Sequence, residues 1–329
     1  MTTIHITGTG SYLPEYVLTN AEIIKSLDTT EEWIVKRTGV QERRRAAPDV
    51  YTSDLGLQAS LRALDAAGKS PSEVELIIFA TITPDTHCPA AANWLQAKLN
   101  APQAVTFDLT AACSGFIFAL HTAEMYLRAG FCRNALVVAG EIMTRVVDWS
   151  DRGSCILWGD GAGAVVLERD VPGPEIKSTF VHTDGANGAN LLMPGGGSKT
   201  TPISHESVAQ GLHYLKMIEA NQSFRVAVNH FAESCQEVMD FNGITINDVD
   251  LIVPHQANLR MLQALAKKLD VPMDKVYVTV HKYGNISSAT VPIALDEAVR
   301  TGAVKAGHRI ILTAFGGGLT WGSSLVEWR

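Results

Sequence analysis

An α/β fold made of two related halves is what this chain of 329 residues predicts, on three observations. A helix, a turn and a buried strand recur in the same order in each half. The apolar runs that read as strands are short and continuous, the pattern of parallel strands covered on both faces. Hydrophobic residues make up 46% and charged residues 19%, with 27 glycines spread along the chain, a balance that supports a large globular core.

The segment DLGLQASLRALDAAG, residues 54–68, repeats its apolar residues at helical spacing and stops at Gly68, a helix C-terminal residue. KSPSEVELIIFATIT then supplies a Ser/Pro turn and the run LIIFA. In the second half AVNHFAESCQEVMDFNG stops at Gly243 and ITINDVDLIVPHQ follows, with Leu251 as far beyond Gly243 as Leu76 is beyond Gly68. The echo continues from Leu99 (LNAPQAVTFDLTAACSGF) and Leu269 (LDVPMDKVYVTVHKYGNISSATV): a loop with proline, a β-rich run, then small residues opening a helix. A third match pairs ALVVAGE and GDGAGAVVLE with RIILTAFGGGLTWGSSLVEW. The halves are expected at residues 1–173 and 174–329, joined near ERDVPGPEIKS, with mostly parallel central sheets and a shared core. LLMPGGGSKTTPISHES reads as a glycine-rich polar loop lying over the body.

Several function classes are set aside by composition. A net charge of −7 opposes nonspecific attraction to nucleic acid, and Arg43 to Arg45 in ERRRAAP read as solvated surface. The five cysteines (88, 113, 132, 155 and 235) form no C-x-x-C and no His/Cys cluster at zinc spacing, so neither a disulfide framework nor a metal site is expected. No basic-then-apolar leader opens the chain, and no apolar stretch approaches the roughly 18 to 20 residues of a membrane span. No membrane contact and a cytoplasmic location are therefore expected. GDGAGAVVLE runs on into a strand instead of opening a helix, which removes the dinucleotide reading, and FGGGLTWG lacks the Gly-Lys-Ser/Thr ending of a phosphate loop.

Cys113 stands between the β-rich AVTFDLT and the apolar GFIFAL, at the start of an expected helix. There the helix dipole and unpaired N–H groups lower a thiol pKa. Ala111, Ala112, Ser114 and Gly115 leave room for an acyl group to approach. Taken alone, a buried packing cysteine is the plainer reading. If the halves superpose, however, Cys113 and Asn285 occupy the equivalent strand-to-helix junction of each, and His255 falls where Ala80 stands in the first half. Cys, His and Asn converging at strand ends suit two chemistries. One is papain-like hydrolysis, in which Asn orients a His that deprotonates Cys; the other is decarboxylative Claisen condensation, in which His and Asn both donate to a thioester oxygen. The duplicated architecture favours the second.

DLTAACSGF, VPHQANLR, YGNISSATVP, GDGAGA and AFGGGLTWG closely resemble the β-ketoacyl-[acyl-carrier-protein] synthase III family of thiolase-fold condensing enzymes, and the similarity runs from GTGSYLPE to WGSSLVEW. The resemblance implies a five-layered α-β-α-β-α core and a two-stage reaction. Cys113 would take the acyl group of an acyl-CoA. Malonyl-[acyl-carrier protein] would then lose CO2, and its carbanion would attack the acyl-enzyme to give 3-oxoacyl-[acyl-carrier protein]. His255 and Asn285 would stabilise the enolate, and the N–H groups of Cys113 and Gly317 would form the oxyanion hole. CoA thioesters are substrates in this scheme, and no cofactor is implied.

Other positions carry over by the same resemblance. Trp33 and Arg37 in EEWIVKRTG are similar to residues that stack on and hold the CoA adenine, with Thr38 beside them. Arg152 in SDRG resembles a second nucleotide contact, and Asn258 a pantetheine contact. Carrier proteins are acidic and need a basic landing face, which Arg260, Lys267 and Lys268 would form on one side of a helix, with Arg225 joining them. A homodimer is implied as well. Acetyl-CoA-using members carry phenylalanine at the place of Cys88, where it crosses the dimer interface to close the acyl pocket that Phe315 also lines. A cysteine there implies primers longer than acetyl, with the alternative that the lengthened GGGSKTTPISHES loop narrows the pocket instead. Two rivals stand beside this reading: an acyltransferase or thioesterase that loads Cys113 without decarboxylating malonate, and a silent acyl-CoA or carrier-protein binder.

Overall fold

The structure, a computed structural model, describes residues 2–198, 202–218 and 220–329. Its frame is a nine-stranded mixed sheet. In chain order the strands are β1 (Ile4–Tyr12), β2 (Leu76–Ala80), β3 (Val105–Leu109), β4 (Asn134–Ile142), β5 (Asp160–Arg169), β6 (Glu175–Thr183), β7 (Leu251–Pro254), β8 (Arg309–Gly316) and β9 (Thr320–Glu327). Across the sheet they run β7-β8-β9-β6-β1-β5-β4-β2-β3. β6 and β1 meet at one residue pair, Glu175 with His5, and the Ile6 N–H reaches the Pro174 carbonyl at 2.8 Å. Two half-sheets are thus joined by a narrow seam.

The main helices are α1 (Glu31–Thr38), α2 (Thr52–Ala66), α3 (Ala91–Leu99), α4 (Gly115–Arg128), α5 (Ala220–Phe241), α6 (Leu259–Leu269) and α7 (Thr290–Arg300). α2 and α3 cover the outer face of the first half-sheet, and α5 lies on the outer face of the second with α6 packed on it. α4 and α7 touch strands of both half-sheets, which gives five layers, α-β-α-β-α. The central layer forms one core, in which Phe116, Leu120, Ile293 and Leu295 meet Ile78 and Val137 from one side and Val253 and Leu312 from the other. Each such side chain contributes about 1.5–3 kcal/mol by leaving water. Gly163 in GDGAGA makes that approach possible: a Cβ there would lie 2.8 Å from the Ile293 nitrogen and from the Pro292 Cβ.

The duplication holds at the level of register. β2 pairs with β4 in parallel at Ile77–Leu136, and β7 pairs with β8 in parallel at Ile252–Ile311, residues related by one constant sequence offset. Both Gly68 and Gly243 end their helices at positive φ, +64° and +65°.

The structure corrects three expectations. The sheet is not mostly parallel: among the described residues three strand pairs are parallel and five antiparallel. Helical crossovers join the parallel strands, whereas β8 returns into β9 through a tight hairpin and β5 folds back on β4, connections that force the antiparallel arrangement. The β-rich run VYVTV forms no strand. Val276 makes an isolated bridge to Ile252, and the Gln256 carboxamide oxygen then takes the Thr279 and Val280 N–H groups at 2.8 and 3.1 Å, turning the backbone away from a ladder. Arg43 is fully buried and not solvated; it donates to the Leu18 and Ile156 carbonyls and to Asn20 Oδ1 at 3.2, 2.6 and 2.7 Å.

Candidate active site

Cys113 sits in a 3-10 turn, Ala112–Ser114, between β3 and α4. The turn is tied to β9 by two bonds: Ser114 Oγ donates to the Thr320 carbonyl at 2.8 Å, and Thr320 Oγ1 donates to the Ala111 carbonyl at 3.0 Å. The end of β8 presses on it so closely that a Cβ on Gly316 would lie 2.7 Å from the Cys113 nitrogen. Ala112 takes the left-handed conformation at φ +45°.

The second half builds the matching turn, Ser287–Ala289, ahead of α7, with Ser287 at φ +47°. The offset that relates Gly68 to Gly243 places Ser287 on Ala112, Ser288 on Cys113, Asn285 on Thr110 and His255 on Ala80. Asn285 therefore shares the junction of Cys113 but stands three residues earlier in it. Its main chain is pinned to the first half, where it donates to the Leu157 carbonyl at 2.8 Å and accepts from Gly159 at 3.0 Å. Its Oδ1 accepts the Ser287 N–H at 2.8 Å, which turns the NH2 end outward as a donor.

His255 directly follows β7, with its N–H on the Thr313 carbonyl at 2.8 Å. Nδ1 lies 2.6 Å from Thr290 Oγ1. Thr290 Oγ1 also lies 3.1 Å from the Ser287 carbonyl: with its hydroxyl on that carbonyl the imidazole proton sits on Nδ1 and Nε2 keeps its lone pair, and with the hydroxyl on Nδ1 the proton sits on Nε2.

Cys113, His255, Asn285, Phe315 and Gly317 line one cavity of about 180 Å³, walled mainly by apolar side chains. Asn258, Leu157, Met217 and Phe224 also line it, and they border an outer groove where Arg37, Thr38 and Arg260 stand. Leu191 and Met217, from the paired segments Leu191–Leu192 and Lys216–Met217, reach this cavity from the glycine-rich loop region. The part of that loop at 199–201 lies outside the described residues.

Burial governs the electrostatics. It pushes the Cys113 thiol up to about 12; the Ser287 side chain opposes this, and Glu141 adds to it. Burial likewise drives His255 down to about 3, against the Ser287 backbone. The helix terminus thus does not lower the resting thiol as the sequence implied: desolvation outweighs the dipole, and both groups rest neutral near pH 7. Beneath the turns lies the fully buried carboxyl of Glu141, raised by desolvation and held by Thr81, Thr83 and the Ile82 N–H, with Ser288 Oγ at 2.7 Å.

Among the positions expected to contact the nucleotide, Trp33 is half-buried, with the Arg37 and Arg152 guanidinium carbons 5.4 and 5.6 Å from its ring centroid. Arg152 also donates to the Asp28 carbonyl at 2.6 Å. The Thr38 hydroxyl is engaged in closing α1, donating to the Ile34 carbonyl at 2.7 Å. Asn258 caps α6 through Oδ1, on the Met261 N–H at 2.9 Å. Arg225 on α5 and Arg260, Lys267 and Lys268 on the adjacent α6 are all exposed. Cys88 is exposed and lines neither the cavity nor the outer groove of its own chain. Sequence reasoning missed Ser287, Thr290 and Glu141. The first two lay inside SSAT, read only as small residues, and Glu141 was the carboxylate closing the apolar run ALVVAGE.

Two family models match the chain: 3-oxoacyl-[acyl-carrier-protein] synthase III over residues 107–185, which hold Cys113, and its C-terminal part over 239–328, which hold His255, Asn285 and Gly317. The β-ketoacyl-[acyl-carrier-protein] synthase III of Xanthomonas campestris pv. campestris is 48% identical, over 98% of each chain. The chain belongs to the 3-oxoacyl-[acyl-carrier-protein] synthase III family. The relative from Caldanaerobacter subterraneus subsp. tengcongensis is 46% identical over 98% of this chain and 97% of its own length. The crystal structure of the Aquifex aeolicus synthase III superposes with a TM-score of 0.90 at 42% identity, covering 99% of this chain and all of that one. The chain is accordingly an acyltransferase with the thiolase fold. Among the described residues no group of three His, Cys, Asp or Glu side chains is placed to hold a metal ion, and no helix is long and apolar enough to cross a membrane.

Proposed function

We propose that this enzyme condenses an acyl-CoA primer with malonyl-[acyl-carrier protein], releasing CoA and CO2 and forming 3-oxoacyl-[acyl-carrier protein]. The observation that supports the residue roles is the convergence of Cys113, His255, Asn285 and Gly317 on one cavity built from both halves, 1–173 and 174–329. In the first stage the Cys113 sulfur forms a bond to the thioester carbon. Its proton passes to His255 Nε2 and then to the departing CoA sulfur. The Cys113 and Gly317 N–H groups receive the oxyanion, a role that suits donors in a water-poor pocket.

In the second stage the malonyl thioester loses CO2. The Asn285 NH2 donates to the enolate oxygen, joined by His255 once a solvent proton occupies Nε2. The carbanion attacks the acyl carbon, and His255 returns its proton to the released Cys113 sulfur, which accounts for the proton this stage consumes. Trp33, Arg37, Thr38 and Arg152 would hold the nucleotide of CoA, and Asn258 its pantetheine arm through the NH2 that capping leaves free. Arg225, Arg260, Lys267 and Lys268 would meet the acidic carrier protein. The enzyme would work as a cytoplasmic homodimer and use no metal or other cofactor.

Labelled malonyl-[acyl-carrier protein] supplied with acyl-CoA tests the reaction: 14CO2 and 3-oxoacyl product must appear in equal amounts, and acyl transfer without CO2 would defeat it. The homodimer would bring Cys88 to the acyl pocket of its partner, where each extra buried CH2 contributes about 0.8 kcal/mol. A chain-length series should then favour primers longer than two carbons, with C88F shifting the optimum downward. A sharp optimum at acetyl-CoA in the unaltered enzyme would remove this idea.

A further inference from the structure

Ser287 is fully buried, and its Oγ has no hydrogen-bond partner among the described residues. Burying a hydroxyl without a partner is costly, and such groups are rare unless something engages them during function. Its backbone is meanwhile fully engaged with the two polar residues of the second half. The Ser287 N–H holds Asn285 Oδ1, and its carbonyl accepts from the Thr290 hydroxyl that supports His255. The turn that carries it packs against the turn that carries Cys113. At the matching position of the first half stands Ala112, with the same left-handed backbone and no hydroxyl.

We propose that Ser287 is a positioning residue for Cys113, its hydroxyl being the donor that turns onto the sulfur as it becomes anionic, while its main chain keeps Asn285 and His255 in place. The Ser287 side chain is the first group that acts against burial in keeping the thiol protonated, which agrees with a donor facing the sulfur. A hydrogen bond to an anion exceeds one to a neutral group, so the hydroxyl favours the ionised state over the resting one. The consequence is specific to acyl loading and to release of the thiolate, and leaves enolate formation to Asn285 and His255.

The inference rests on the reading of Cys113 as the acylated residue, and its test separates the two. Iodoacetamide labelling of Cys113 is followed by peptide-resolved mass spectrometry from pH 7 to 10 in the full chain and in three variants. Ser287→Ala deletes the hydroxyl. Ser287→Gly deletes it while relieving the positive φ, which protects folding. Ser60→Ala removes another fully buried, unpartnered hydroxyl, far along the chain in α2. Both Ser287 variants should label Cys113 about tenfold more slowly at a given pH, with the profile displaced to the alkaline side by about one unit, and S60A should match the parent. Single-turnover loading from acyl-CoA should slow to a similar extent in the Ser287 variants, with KM for acyl-CoA little changed. Parent-like labelling in folded S287G, with acyl groups still found on Cys113, would overturn this inference alone. Absence of any acyl adduct on Cys113 in the parent would overturn it together with the reading beneath it.

Discussion

The two halves of the molecule build the same turn and use it differently. In the first half the positions corresponding to His255, Asn285, Ser287 and Ser288 are Ala80, Thr110, Ala112 and Cys113. Backbone conformation is shared down to the left-handed residue, at φ +45° in one turn and +47° in the other. One half places a thiol amid small side chains, and the other places hydroxyl, amide and imidazole. The fold supplies the junction twice, and in the proposed mechanism side-chain identity at matched positions divides the chemistry between the copies.

That division can be broken at its strongest point first. Cys113→Ser replaces a thiol with a far weaker nucleophile, and condensation should fall to background in a product assay. Asn285→Ala removes the donor proposed for the enolate, so 14CO2 release should drop on the order of 100-fold to 1000-fold while acyl loading proceeds. Equal loss of loading in both variants would show that the halves do not separate the two stages.

Thr290→Val sharpens the comparison inside the second half. It keeps the shape but leaves His255 Nδ1 without its partner at 2.6 Å. Loss of a group that orients a reacting side chain typically costs about 10–100-fold, and kcat should fall by that amount with KM little altered and Thr290→Ser restoring most of it. Nitrogen NMR of the unaltered enzyme should place the His255 proton on Nδ1, as a base at Nε2 in the proposed first stage requires; a proton on Nε2 at rest would contradict that stage.

A smaller effect concerns stability. The His255 pKa is about 3 in the folded chain, against 6.5 for an ordinary histidine. Between those values the unfolded state binds a proton that the folded state refuses, so stability falls as pH drops through this window, by about 1.4 kcal/mol per unit. Above pH 6.5 the contribution is flat. Thermal midpoints of His255→Gln should therefore decline less steeply than those of the parent between pH 6 and pH 4.

Much of this was legible in the sequence because it was local or periodic. The Gly68 and Gly243 helix ends, the runs LIIFA and DLIVP, and the sequence offset between them placed His255 opposite Ala80 without any tertiary knowledge. What escaped depends on surroundings that only the folded chain creates. The position of Cys113 suggested an acidic thiol, but enclosure by both halves raises it. Arg43 read as one charge in a solvated run, yet Asn20 and two carbonyls hold its two terminal NH2 groups inside the core. VYVTV carried β-branched residues, and the Gln256 side chain took the N–H groups a ladder would need. The hydroxyls of SSAT looked like spacers until the folded chain set Thr290 against His255 and Ser288 against Glu141.

The most direct measurement is peptide-resolved mass spectrometry of the full chain after brief exposure to acyl-CoA, followed by a chase with malonyl-[acyl-carrier protein]. An acyl mass should appear on the peptide carrying Cys113 and vanish during the chase as CO2 and 3-oxoacyl product form together. A persistent adduct, or acylation at any of the other four cysteines in its place, would contradict a nucleophile from one half served by donors from the other.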